Sequence, residues 1–92
     1  MNAFSIVEDF ENEVACYTQA PYCVAVNSCT NALFLSLMWQ CKTKILEEVE
    51  IPKYTYVSVP MQIKHCGLKI KFRDEEWKGV YELKPTQIWD SA

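Results

Sequence analysis

One histidine, His65, and no Cys-x-x-Cys pair occur in the 92 residues. The ligand spacing of a zinc site is therefore missing, and no metal is expected. The thiol pairing of a redox protein is missing as well. The five cysteines, Cys16, Cys23, Cys29, Cys41 and Cys66, are odd in number. Most of them read as buried small apolar residues kept in a reducing compartment, so a cytoplasmic location is expected. No charged-then-apolar leader opens the chain, and no apolar run is long enough to span a bilayer, so no membrane partner is expected. Basic residues are scattered and the net charge is -3, which argues against nucleic acid. Repeats and low-complexity segments are also lacking. Half the residues are hydrophobic, too many for a disordered chain, and the length suits a single small domain over residues 1–92.

What is present centres on Asn27-Ser28-Cys29-Thr30-Asn31-Ala32-Leu33. The run before it, Tyr22-Cys23-Val24-Ala25-Val26, is rich in β-formers. The run after it, to Trp39, is rich in helix formers. A buried strand that ends in a small polar turn and passes at once into a helix leaves unpaired N–H groups at the turn. The helix start carries a partial positive charge there, and Ser28 and Thr30 add hydroxyls, so the turn can hold a phosphate. The same residue types also close ordinary helices as N-caps.

Taken in order, Ser5-Ile6-Val7-Glu8 has the form of a capping box, followed by Ile6, Phe10, Val14 and Tyr17 at helical spacing with acidic residues between them. This predicts an amphipathic helix ended by Gln19-Ala20-Pro21. The continuous apolar run from Tyr22 to Asn27 predicts a strand covered on both faces. A helix from about Thr30 to Cys41, apolar on nearly every side, is expected to be deeply buried in the complete protein. Glu48 to Pro52 alternates and predicts a strand, with Glu47, Glu48 and Glu50 on a solvated edge. A helix is expected from Val57 to His65, with Pro60 in its first turn, Gly67 at its C′ position and His65 as a cap or surface residue. Leu68 to Phe72 predicts a strand, Asp74 to Lys84 is less regular, and Gln87 to Asp90 is a last strand. Alternating strands and helices predict an α/β fold, βαβαβ-like, with mostly parallel strands.

Several of these segments resemble DegT/DnrJ/StrS-type aminotransferases. Ala25-Val26-Asn27-Ser28-Cys29-Thr30-Asn31-Ala32-Leu33 is similar to the family's A-V-N-S-G-T-x-A-L. Glu48-Val49-Glu50-Ile51-Pro52 with Tyr54-Thr55-Tyr56-Val57 resembles E-V-I-V-P-x-x-T-[FYW]-V. His65-Cys66-Gly67 leading into Ile70-Lys71-Phe72 resembles A-G-x-x-P-V-F-V-D. Ile88-Trp89-Asp90-Ser91-Ala92 resembles I-x-D-A-A.

The resemblance implies the amino-terminal part of a fold type I aminotransferase large domain. It implies pyridoxal 5'-phosphate as cofactor, a sugar or nucleotide-sugar as substrate, and a homo-oligomer. The backbone and hydroxyls at Ser28, Cys29 and Thr30 would hold the cofactor phosphate, with Cys29 standing where the family has glycine. Tyr56 falls at the aromatic position stacked on the pyridine. Asp90 falls at the carboxylate that pairs with the ring nitrogen. The interval from Asp74 to Asp90 is shorter than in full-length members. It fits a shortened branch, or it places Pro85-Thr86-Gln87-Ile88 on the preceding T-K-A-I strand and removes Asp90 from the site. The family's cofactor-anchoring lysine, in a Ser-x-x-Lys segment beyond the aspartate, is not reached, so no catalytic residue is assigned and inactivity alone is expected. The rival expectation is a non-catalytic interaction domain or truncated relic that oligomerises, its first strand unpaired or paired with another copy.

Overall fold

A computed structural model of the chain describes residues 3–91. Helix α1 spans Ala3–Thr18, α2 Cys29–Thr43 and α3 Ser58–His65; the strands are β1 Glu48–Pro52, β2 Lys69–Arg73, β3 Val80–Leu83 and β4 Ile88–Ser91. The architecture is mixed α/β, as expected of a partial aminotransferase-like fold. Among the described residues no helix is long and apolar enough to cross a membrane.

The β1-α3-β2 unit anchors the rest. β1 and β2 pair in parallel, with Val49 opposite Ile70 and Ile51 opposite Phe72. Alternation in β1 sends Val49 and Ile51 fully inward and leaves Glu48 exposed, as the pattern of apolar and acidic residues dictates. α3 ends at the glycine that its sequence position predicts. Gly67 sits at φ +75, its N–H donates to Lys64 O at 2.9 Å, and Leu68 N–H donates to Ile63 O at 3.2 Å. This paired bonding closes the helix and turns Leu68 back onto the same core as Ile63.

Into that core α2 delivers Leu33 and Leu37, α3 delivers Val59 and Ile63, and β3 delivers Tyr81 and Leu83. β3 and β4 form an antiparallel hairpin with Tyr81 opposite Asp90. The hairpin is tied to β1 by a reciprocal bridge, Glu50 N–H to Lys84 O at 2.7 Å and Lys84 N–H to Glu50 O at 3.0 Å. Arg73 at the end of β2 clamps the same junction. Its guanidinium donates to Glu50 O at 3.0 Å, to Glu82 O at 2.7 Å and to the Glu75 carboxylate at 2.9 Å.

Three expectations need correction. The run from Tyr22 to Asn27 forms no strand. A strand needs a neighbour for its backbone groups, and the edges of β1 are taken by β2 and by the bridge to Lys84. The segment lies exposed instead, Val24 at 78%, with Ala25 N–H donating to the Glu11 carboxylate at 2.7 Å. Ser5 is not an N-cap, because α1 already begins at Ala3 and places Ser5 inside its first turn. The stretch from Asp74 to Lys84, expected to be less regular, contains β3, which pairs antiparallel with β4 beside the parallel β1-β2 pair. Within these residues α2 is buried on one face, and the burial expected of it concerns the complete protein. Leu33 and Leu37 point inward, while Leu35, Met38 and Trp39 face solvent. α1 ends where Gln19-Ala20-Pro21 predicts, with Gln19 at φ 61, but its apolar residues Ile6 and Phe10 are also exposed.

Candidate functional site

The start of α2 is built by Ser28, whose extended backbone turns the chain into the helix. Its hydroxyl accepts the Asn31 N–H at 3.1 Å and its carbonyl accepts Ala32 N–H at 3.0 Å. The cap therefore forms, as its residue type favours. Capping uses the hydroxyl as an acceptor and leaves its own proton available to donate. The N–H groups of Cys29 and Thr30 have no acceptor within the helix, since helix geometry offers none to its first turn. The turn is open to solvent: Ser28 and Cys29 are exposed and Thr30 is half-buried. It does not lie sealed against the core.

Asp90 reaches this helix start from 61 residues away. It is 9% exposed, so it is not a solvated carboxylate at a chain end. The Tyr81 hydroxyl donates to Oδ2 at 2.6 Å, and the Cys29 thiol donates to Oδ1 at 3.7 Å. Burial pushes the Tyr81 phenol well above its ordinary range, and the hydrogen bond to Asp90 and its charge push the same way, against a lowering by Arg73. The Cys29 thiol is likewise raised, by desolvation first and then by the neighbouring Asp90 charge and hydrogen bond. Both groups therefore stay protonated at neutral pH and remain donors.

Cys29, Thr30, Tyr56 and Asp90 line one cavity of about 350 Å³, with Leu33 and Val59 beneath. That volume is in the range of small-ligand sites. Tyr56 comes from the loop before α3, where its carbonyl accepts Val59 N–H at 3.0 Å and its ring is 73% exposed. Ser28 does not line the cavity but adjoins it through the chain. His65 lies elsewhere, exposed at the end of α3 with Nδ1 3.2 Å from Gln62 Oε1. Glu47 and Glu48 are exposed, while Glu50 is half-buried, faces Lys71 across the strands at 3.9 Å and is bridged to Lys84 on its other side, so β1 offers no open edge at Glu50; none of these acids lines the cavity.

Tyr81 is the residue that motif reading missed. The signal was local: Val80-Tyr81-Glu82-Leu83 alternates, and it faces Ile88 to Ser91 across a Pro-Thr turn. The charged stretch before Gly79 obscured it.

The model of the DegT/DnrJ/EryC1/StrS aminotransferase family matches residues 2–89. The chain belongs to this family. Among curated proteins it is 41% identical over 85 residues to the spore coat polysaccharide biosynthesis protein SpsC of Bacillus subtilis (strain 168). The match covers 89% of this chain and 21% of that relative, so the chain spans about a fifth of the relative's length. No solved structure matches. The resemblance read from the motifs is thus borne out. As a member of the DegT/DnrJ/EryC1/StrS family, the chain has Cys29 where the motif has glycine, and the added side chain meets Asp90.

Proposed function

We propose that this chain supplies the phosphate-holding and ring-nitrogen-holding wall of a pyridoxal-phosphate-dependent aminotransferase that acts on sugars or nucleotide-sugars. One observation carries the reading: Cys29 and Thr30, Tyr56 and Asp90, from three distant segments, meet around one cavity. The residues fit a phosphorylated pyridine. Unpaired N–H groups and the Thr30 hydroxyl sit at a helix start that favours an anion. A buried carboxylate stands at the same cavity as an acceptor for a protonated ring nitrogen. The meeting of Asp90 with Cys29 favours the shortened-branch alignment over the one that removes Asp90 from the site.

Pyridoxal phosphate, when bound, supplies a ring that stores an electron pair while an amino group changes hands. The chain's own part is to hold and orient. Ser28 fixes the helix start, Cys29 and Thr30 donate to the phosphate, Tyr56 offers an aromatic face, and Asp90 keeps a proton on the ring nitrogen. The cytoplasm is the compartment that suits its free cysteines. These residues contain no Ser-x-x-Lys segment, so the 92-residue polypeptide alone is expected to transfer no amino group.

A separate observation supports association with a second copy. The apolar face of α1 and the 22–26 segment expose Phe4, Phe10, Tyr22 and Val24, and the backbone of that segment is paired in no sheet of the described residues.

The cofactor reading is tested with pyridoxine 5'-phosphate, which has no aldehyde to react with surface lysines. Titrated into the 92-residue chain and followed by fluorescence, it is expected to bind saturably and to be displaced by inorganic phosphate. Thr30→Ala is expected to weaken it about tenfold, the value of a hydrogen bond to a charged group. Absence of saturable binding, or unchanged affinity in Thr30→Ala, would contradict the reading.

A further inference from the structure

We propose that Tyr81 is the positioning residue for Asp90, locking one carboxylate oxygen so that the other faces the ring nitrogen of the cofactor. This rests on the reading of Asp90 given above and adds a residue and a division of labour to it.

The geometry begins with strand register. Tyr81 and Asp90 are direct partners in the antiparallel hairpin, so their side chains leave the same face side by side. The phenol reaches Oδ2 at 2.6 Å, a short bond of the kind a charged acceptor makes. Tyr81 is itself held. It is 2% exposed, Trp77 packs on it with ring centroids 4.6 Å apart, and Trp77 is fixed by donating Nε1–H to Tyr54 O at 2.7 Å. The raised phenol pKa keeps the proton on Tyr81, so it acts as a permanent donor.

The two oxygens of Asp90 differ in what holds them. Oδ2 is bound by the buried phenol, which does not line the cavity. Oδ1 is met by the Cys29 thiol, which does line it, at 3.7 Å. A thiol is a weak donor and is readily replaced by a stronger one. Oδ1 is therefore the oxygen offered to an incoming N–H, and the phenol prevents the carboxylate from rotating away. A phenylalanine ring in place of the phenol would keep the Trp77 contact and the cross-strand packing while removing this lock.

The test compares two ligands: pyridoxine 5'-phosphate, and its carbocyclic analogue with C–H in place of the ring nitrogen. The unaltered chain is expected to prefer the nitrogen ligand by at least about tenfold. Tyr81→Phe is expected to weaken that ligand about tenfold, and to leave the carbocyclic analogue and inorganic phosphate within about twofold. Equal losses for both ligands would mark Tyr81 as a packing residue and overturn the proposal. So would a preference for nitrogen that survives Tyr81→Phe intact, although Asp90 would then stand as the nitrogen's partner. If the unaltered chain does not distinguish the two ligands, the reading of Asp90 itself fails and this proposal fails with it. A second measurement does not require the variant to fold. In proton spectra of the unaltered chain, a slowly exchanging Tyr81 hydroxyl signal is expected, absent in Tyr81→Phe where that variant folds, and retained when pyridoxine phosphate is bound. Its disappearance on loading would overturn the lock.

Discussion

Asp90→Asn is expected to lower the affinity for pyridoxine 5'-phosphate by about 10- to 100-fold, with inorganic phosphate bound as before. The substitution is close to isosteric. Its amide oxygen still accepts from the Tyr81 hydroxyl, so the hairpin is retained. What disappears is the negative charge at a site that is 9% exposed. A hydrogen bond to a charged group is worth about 1.5–3 kcal/mol, which sets the range. The contrast between ligands separates the two ends of the cavity. The helix start of α2 reads the phosphate and is unaltered, whereas the ring nitrogen loses its partner. Parallel isothermal titrations with the two ligands check this, and equal losses for both would show that the substitution had disturbed the cavity as a whole.

Leu37→Ala is expected to destabilise the chain by about 3 kcal/mol, within the usual range for emptying a core site. Leu37 has no exposed surface and belongs to the same core as Val59, Ile63 and Leu83. Removing it leaves a void where α2 packs on α3 and the hairpin. A small domain has about 5–15 kcal/mol of stability in all, so the loss is a large share of it. It should appear as a fall in melting temperature of roughly 12 °C or more, at about 4–8 °C per kcal/mol for a chain of this size. Melting followed by circular dichroism checks it. The cavity depends on the same packing, since α2 carries both Leu37 and the Cys29-Thr30 start. Ligand affinity should therefore fall with stability in Leu37→Ala and independently of it in Asp90→Asn.

How much of this was legible in the sequence depended on whether the cause was local. Gly67 was readable because helix closure needs a residue that tolerates φ +75, and a glycine stood at the right offset. The alternation of Glu48 to Ile51 likewise fixed which residues point inward. The run from Tyr22 to Asn27 misled because a strand is a property of a pair. Its residues favour extended backbone, but nothing local says whether a neighbour is present, and β1 is already occupied. The capping box at Ser5 misled for a related reason, since the motif can sit inside a helix that starts earlier. In the site, Thr30 was reached from the helix start and its hydroxyl, whereas Cys29, Tyr56 and Asp90 were reached by resemblance, and their meeting at one cavity could not have been derived from spacing. Tyr81 lay outside every motif. Its contact with Asp90 follows from hairpin register, and the hairpin itself had not been read.

Amide chemical-shift mapping with pyridoxine 5'-phosphate bears most directly on the cavity. Saturable shifts are expected at Cys29 and Thr30, at Tyr56 and at Asp90, with inorganic phosphate reproducing the first pair alone. Shifts confined to the exposed lysines, or none at the α2 start, would contradict a pyridoxal-phosphate wall in this chain.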